Sequence, residues 1–197
     1  DHYGERAKKE GLPARSYYKL EEMDKKHRIL SRGAKVLDLG CSPGSWMLYC
    51  ARRVGNEGFV WGVDLKPVDQ VLPGNAEAVV GDAYQWEPPV AEQGLDVILS
   101  DMAPSTTGNR VTDGLRSAGL VERALDVAES KLRPGGHFCA KLLESGEVEA
   151  LVKRMRLIFK KVARARPNAT RKESTEVFLI GLGLKRAHSD EPSGENT

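Results

Sequence analysis

The sequence predicts an α/β fold: a mostly parallel, seven-stranded sheet with an antiparallel edge strand and helices on both faces. Two observations lead there. Along most of the chain, short apolar segments bounded by glycine or polar turns alternate with stretches of helical periodicity, the pattern that parallel strands joined by crossover helices require. Near the C-terminus the alternation stops. Residues 161–166 and 177–184 are strand-like runs joined only by the polar connection 167–175, so they are expected to pair antiparallel at the sheet edge.

Taken in order, residues 14–27 read as an amphipathic helix, with Tyr17, Leu20, Met23 and Asp24 at helical spacing and a turn at Ser31-Arg32-Gly33. Residues 34–39 form a short apolar run broken by Asp38, followed by a glycine-containing turn and a helix at 45–54. That is a strand, a turn and a helix. Further strands are expected at 59–65, 76–80, 96–102 and 137–143, and helices at 118–132 and 146–159. Pro134-Gly135-Gly136 marks a stop before the fifth strand. Residues 1–185 are expected to form one domain, residues 1–30 its helical N-terminal segment, and 186–197 a polar, disordered tail.

A chain of 197 residues with 40% hydrophobic content can bury one substantial core. No apolar run approaches the roughly 20 residues that span a bilayer, so a soluble, cytoplasmic protein is expected, with no membrane partner. The sequence opens on Asp1 rather than methionine, which leaves an organellar address undecided. Cys41, Cys50 and Cys139 form no C-x-x-C pair and read as buried reduced thiols. His2, His27, His137 and His188 have no ligand-like spacing, so no metal is expected. Without an apolar heptad, the expected state is a monomer.

The formal charge of +2 does not by itself indicate nucleic acid. Its distribution is more informative. Residues 153–172 hold nine Lys or Arg and no acidic residue, and Arg6, Lys8, Lys9, Arg15 and Lys19 lie near Tyr17 and Tyr18. Such patches fit a phosphate backbone with rings for bases, and equally fit solvated surface.

In an open α/β sheet, ligands bind beyond the carboxyl ends of the strands. The loop after the first strand reads Asp38-Leu39-Gly40-Cys41-Ser42-Pro43-Gly44-Ser45-Trp46. Gly40 and Gly44 let the backbone approach a ligand, and Trp46 is either part of that site or core. The G-x-G-x-x-G pattern of pyrophosphate binding is absent. Carboxylates stand at successive strand ends instead: Asp64, placed for ribose hydroxyls, Asp82, placed for an adenine amino group, and Asp101. S-adenosylmethionine, with its positive sulfonium and amino group and no phosphate, suits such a site.

Four segments carry a family resemblance: DLGCSPGSW at 38–46, DMAPSTTG at 101–108, CAKLLE at 139–144 and STEVFLIG at 174–181. Together they resemble the FtsJ (RrmJ) ribosomal RNA 2′-O-methyltransferases over about residues 15–185. The resemblance implies a Rossmann-like class I S-adenosylmethionine-dependent methyltransferase with a Lys-Asp-Lys-Glu tetrad, carried here by Lys19, Asp101, Lys141 and Glu176. It further implies an RNA partner, a uridine in the A-loop of 23S ribosomal RNA within the assembled large subunit, faced by the N-terminal segment. Close relatives act on the tRNA anticodon loop or mRNA caps. The chain departs from the family's pattern at Cys41-Ser42 and Ser45, at Thr175, and at residues 142–146, where an aromatic residue and glutamine usually follow the lysine. Two other readings compete. A nicotinamide-dependent reductase would use Asp64 but lacks its second glycine, and a non-catalytic ribosome-assembly factor would use the basic patches but not the tetrad.

Overall fold

Strands covered on both faces must send alternate side chains into two apolar layers, and they therefore read as nearly continuous apolar runs. Such strands dominate the computed structural model, which describes residues 2–9 and 15–186. The expected disordered tail lies, from residue 187 on, outside the described residues. Strands β1 (Lys35–Leu39), β2 (Phe59–Asp64), β3 (Ala76–Val80), β4 (Leu95–Ser100), β5 (Leu132–Leu143), β6 (Phe159–Ala165) and β7 (Glu176–Leu184) form one sheet in the order β3-β2-β1-β4-β5-β7-β6. β1 to β5 pair in parallel. β7 runs antiparallel between β5 and β6, leaving β6 at the edge.

Helices α1 (His2–Lys9), α2 (Ser16–His27) and α3 (Ser45–Val54) pack against one face, and α4 (Arg110–Lys131) and α5 (Val148–Ile158) against the other. In β1, Val36 joins the first layer and Leu37 and Leu39 the second. Asp24 anchors α2. Its buried carboxylate accepts hydrogen bonds from Leu30 N–H (2.8 Å), the Tyr49 hydroxyl (2.7 Å) and Arg53 Nε (2.8 Å), tying the helix to α3 and to its own exit turn.

Two elements differ from the sequence expectation. α4 begins at Arg110 rather than at 118, because the Asn109 side chain accepts from Val111 N (3.0 Å) and Thr112 N (3.1 Å) and starts the helix early. Its glycines at 114 and 119 obscure that first half in the sequence. β5 begins at Leu132 rather than at 137: Leu132 pairs with Leu95, and the ladder absorbs Pro134-Gly135-Gly136 as an irregularity between Leu95 and Val97. Among the described residues, no helix is long and apolar enough to cross a membrane.

Candidate active site

The strand order reverses between β2-β1 and β4-β5, so the crevice beyond the carboxyl ends of β1 and β4 is the natural ligand site. A cavity of about 520 Å³ lies there, with Gly40, Asp64, Asp82, Tyr84, Asp101 and Met102 in its wall. Gly40 has φ +75°, and a Cβ on it would stand 2.5 Å from Met102 Cγ, so only glycine keeps this loop against the β4 exit. Asp64 shapes the same loop. One carboxylate oxygen accepts from Ser42 N (2.9 Å) and the other from Lys66 N (2.9 Å), so the residue is both turn former and cavity wall. Asp82 accepts from Tyr84 N (2.9 Å) through one oxygen. Tyr84, whose hydroxyl contacts Met102 Sδ at 3.7 Å under Arg123 at 4.0 Å from its ring, is a wall residue that nothing in the sequence singles out.

Not every residue singled out in the loop reaches the cavity. Trp46 is buried: its Nε1 donates to Ser16 O at 2.8 Å and its ring packs 5.8 Å from Phe178, so it joins α3 to α2 and β7 and does not line the cleft. Gly44 opens α3 and is likewise absent from the wall. A Cβ there would stand 2.8 Å from Val68 Cγ1, so it shapes the turn. Asp38, which appeared only as a break in an apolar run, is 1% exposed, and neither carboxylate oxygen has a hydrogen-bond partner. Burial, then the nearby charges of Asp101 and Asp64, push its carboxyl well above the usual range.

Across the same edge runs a row of four charged side chains. Asp101 follows β4, Lys141 lies on β5, and Glu176 opens β7, three adjacent strands, while Lys19 comes from α2. Lys141 Nζ lies 3.2 Å from Asp101 Oδ1, and Lys19 Nζ donates to Glu176 Oε1. Burial raises the Asp101 carboxyl above its ordinary value; the charge and hydrogen bond of Lys141 and the charge of Lys19 oppose that shift. A second cavity, about 390 Å³, adjoins the row, lined by Arg15, Lys19, Arg171, Glu173, Ser174 and Glu176. The row therefore stands between two cavities: Asp101 in the wall of one, Lys19 and Glu176 in the wall of the other.

A model of the FtsJ-like methyltransferase family matches residues 12–184. The chain belongs to the FtsJ-like methyltransferase family. A protein of Desulfatibacillum aliphaticivorans named ribosomal RNA large subunit methyltransferase E is 45% identical over 188 residues, covering 94% of this chain and 91% of the relative. A protein of the same name from Syntrophobacter fumaroxidans is 46% identical over 193 residues, covering 95% and 97%. Among solved structures, a Plasmodium falciparum protein described as a ribosomal RNA methyltransferase has the same fold. It superposes with a TM-score of 0.75 at 24% identity, over 88% of this chain and 99% of the other.

The basic run divides by use. Arg154 bridges Asp126 (2.7 Å) and Glu129 (3.1 Å), Arg164 pairs with Glu149, and Arg166 donates to the carbonyls of Glu176 (2.9 Å) and Ser174. These three serve the fold, while Arg171 lines the second cavity. Tyr17 and Tyr18, rings the sequence offered to bases, are 6% and 2% exposed and pack in the core instead. The three cysteines are free and buried. Among the described residues, no group of His, Cys, Asp or Glu could hold a metal.

Proposed function

We propose that this FtsJ-like protein transfers a methyl group from S-adenosylmethionine to a ribose 2′-hydroxyl of large-subunit ribosomal RNA, at a uridine of the A-loop, with residues 1–185 acting as one unit in the cytoplasm. The observation that carries the reading is the charged row between two cavities. The larger cavity suits the cofactor: its wall holds Asp64, Asp82 and Asp101, and these carboxylates favour a sulfonium and an ammonium rather than a phosphate. When bound, S-adenosylmethionine supplies an activated methyl group on its sulfonium. Gly40 gives the cleft its depth, Asp64 faces ribose hydroxyls and Asp82 an adenine amino group.

The chain's own residues then have distinct tasks. A ribose hydroxyl is a poor nucleophile, so it must be aligned with the methyl group and its proton must be taken up. Lys141 steers the 2′-oxygen and relays that proton, passing one of its own to Asp101 as it takes up the hydroxyl's. Asp101 orients Lys141 through the 3.2 Å ion pair. Lys19 and Glu176, paired at the mouth of the second cavity, position the ribose. The names of the relatives support a ribosomal substrate, and the matching tetrad favours an enzyme over a binding factor.

The test is transfer of labelled methyl from S-adenosylmethionine to unmodified large ribosomal subunits, with the product nucleoside identified. A 2′-O-methyluridine is the expected product. Cofactor binding without transfer to subunits, but with transfer to tRNA or capped RNA, would overturn the ribosomal assignment.

A further inference from the structure

A third cavity, about 290 Å³, opens beside the strand that carries Lys141, between the start of α4 and the turn from β5 to α5. Val111 and Leu115, one helical turn apart on α4, form an apolar wall and are 70% and 54% exposed. Arg110 stands at one end, and Glu144 and Glu147 supply carboxylates from the turn. Neither carboxylate has an ion-pair or hydrogen-bond partner among the described residues. The pocket is rigidly framed. Leu143 N donates to the Ser117 hydroxyl at 2.9 Å, Glu144 N donates to Thr175 O at 2.7 Å, and a Cβ on Gly114 would stand 2.6 Å from Ser145 Cβ. Through Thr175 the turn is fastened to the residue preceding Glu176, so this cavity continues the face that carries the charged row.

We propose that this pocket holds an unstacked guanine flanking the methylated nucleotide, and that Glu144 and Glu147 make the chain selective for it. The inference rests on the RNA reading above. Single-stranded bases are recognised by contact with their faces and hydrogen bonds to their edges. Val111 and Leu115 offer the face contact. Guanine presents N1–H and its 2-amino group side by side, a pair of donors that one carboxylate accepts together. Cytosine and adenine present a single amino group, and uracil flanks its N–H with carbonyls that a carboxylate repels. Arg110 at the rim suits the phosphate of the same nucleotide.

Initial rates on unmodified large ribosomal subunits test it, comparing the parent with Leu115→Asp and with Glu144→Gln/Glu147→Gln. All three positions line this pocket and lie outside the charged row. The KM for subunits should rise about tenfold, the scale of a lost bidentate base contact, with kcat and cofactor affinity within about twofold. On subunits reconstituted with adenine replacing guanines next to the modified uridine, the parent should lose a similar factor and the Glu variant nothing further. A parent that methylates subunits beside variants with unchanged KM overturns the guanine pocket and leaves the methyltransferase reading intact. A parent that transfers nothing to any RNA overturns both.

Discussion

On its β1–β3 side the cleft is lined by loops that each follow their own strand directly, whereas the charged row draws its members from four segments, with Lys19 and Glu176 157 residues apart. The first side is therefore encoded locally and the second only by the completed fold. Defects on the first side should affect cofactor affinity alone. Defects in the row, apart from Asp101, which also borders the cofactor cavity, should spare affinity and strike turnover.

The largest expected effect is that of Lys141→Ala. Loss of a group that handles the hydroxyl proton should lower kcat by roughly 10²–10⁴-fold while calorimetric binding of S-adenosylmethionine stays unchanged. Equal losses in affinity would break the division between the two sides. In the parent, protonation of Asp101 dissolves its ion pair with Lys141. Burial raises that carboxyl, so kcat should fall on the acid side at a pH above the ordinary carboxylate range. An acid limb at an ordinary Asp value would remove Asp101 from the orienting role.

Gly40→Ala should do the converse. A side chain at φ +75° and 2.5 Å from Met102 Cγ must displace the cavity wall, and left-handed strain of about 1–2 kcal/mol adds to this. Cofactor affinity should drop about tenfold or more, with RNA binding intact in a filter assay. Trp46→Phe separates packing from ligand contact. Loss of the bond to Ser16 O and of ring volume should cost about 1–3 kcal/mol in urea unfolding, with cofactor affinity within twofold; a selective affinity loss would return Trp46 to the site.

The smallest expected effect, and the sharpest in sign, belongs to Asp38. A carboxyl raised on folding stabilises the fold below its unfolded pKa, and that contribution is lost as pH rises through the folded value. Asp38→Asn should therefore raise the Tm of the cofactor-free protein at pH 8 by at least about 2 °C, the shift given by roughly 1 kcal/mol at this size, and the two proteins should converge toward pH 4. A constant difference across pH would mean that Asp38 is not the titrating group.

The same contrast explains what could be read before any coordinates. The central strands β1, β2 and β4 were legible because each is covered on both faces and reads as an apolar run, whereas the edge strands β3 and β6 are partly exposed and were legible mainly from their place in the alternation of elements. The glycine loop was legible because Gly40 meets a requirement that few residues satisfy. Trp46 stayed open between site and core because a tryptophan next to a ligand loop has the same sequence appearance in either place; in the fold it is buried. Tyr17 and Tyr18, rings that one reading of the basic patches offered to bases, lie on the buried side of α2, whose periodicity is blurred by Lys19 and Asp24, polar residues that are themselves buried. The tetrad came from the family resemblance, because no local spacing connects Lys19 to Glu176. Tyr84 had no signal in the sequence, and Asp38 and Glu144 stood out only as a break in an apolar run and as part of a departure from the family pattern, since each acquires its character from neighbours distant in the chain.

The reversed strand β7 gives the sheet edge something that parallel strands cannot supply. β4 and β5 reach that edge with their last residues, but β7 reaches it with its first, Glu176, opposite Leu143. The side chain's position is therefore a matter of phase. Shifting β7 by one residue would turn Glu176 to the opposite face, while changes in the length of the 167–173 segment would leave that phase untouched. The length of this approach can therefore vary without turning Glu176 away from the site, provided the count from Glu176 onward is kept.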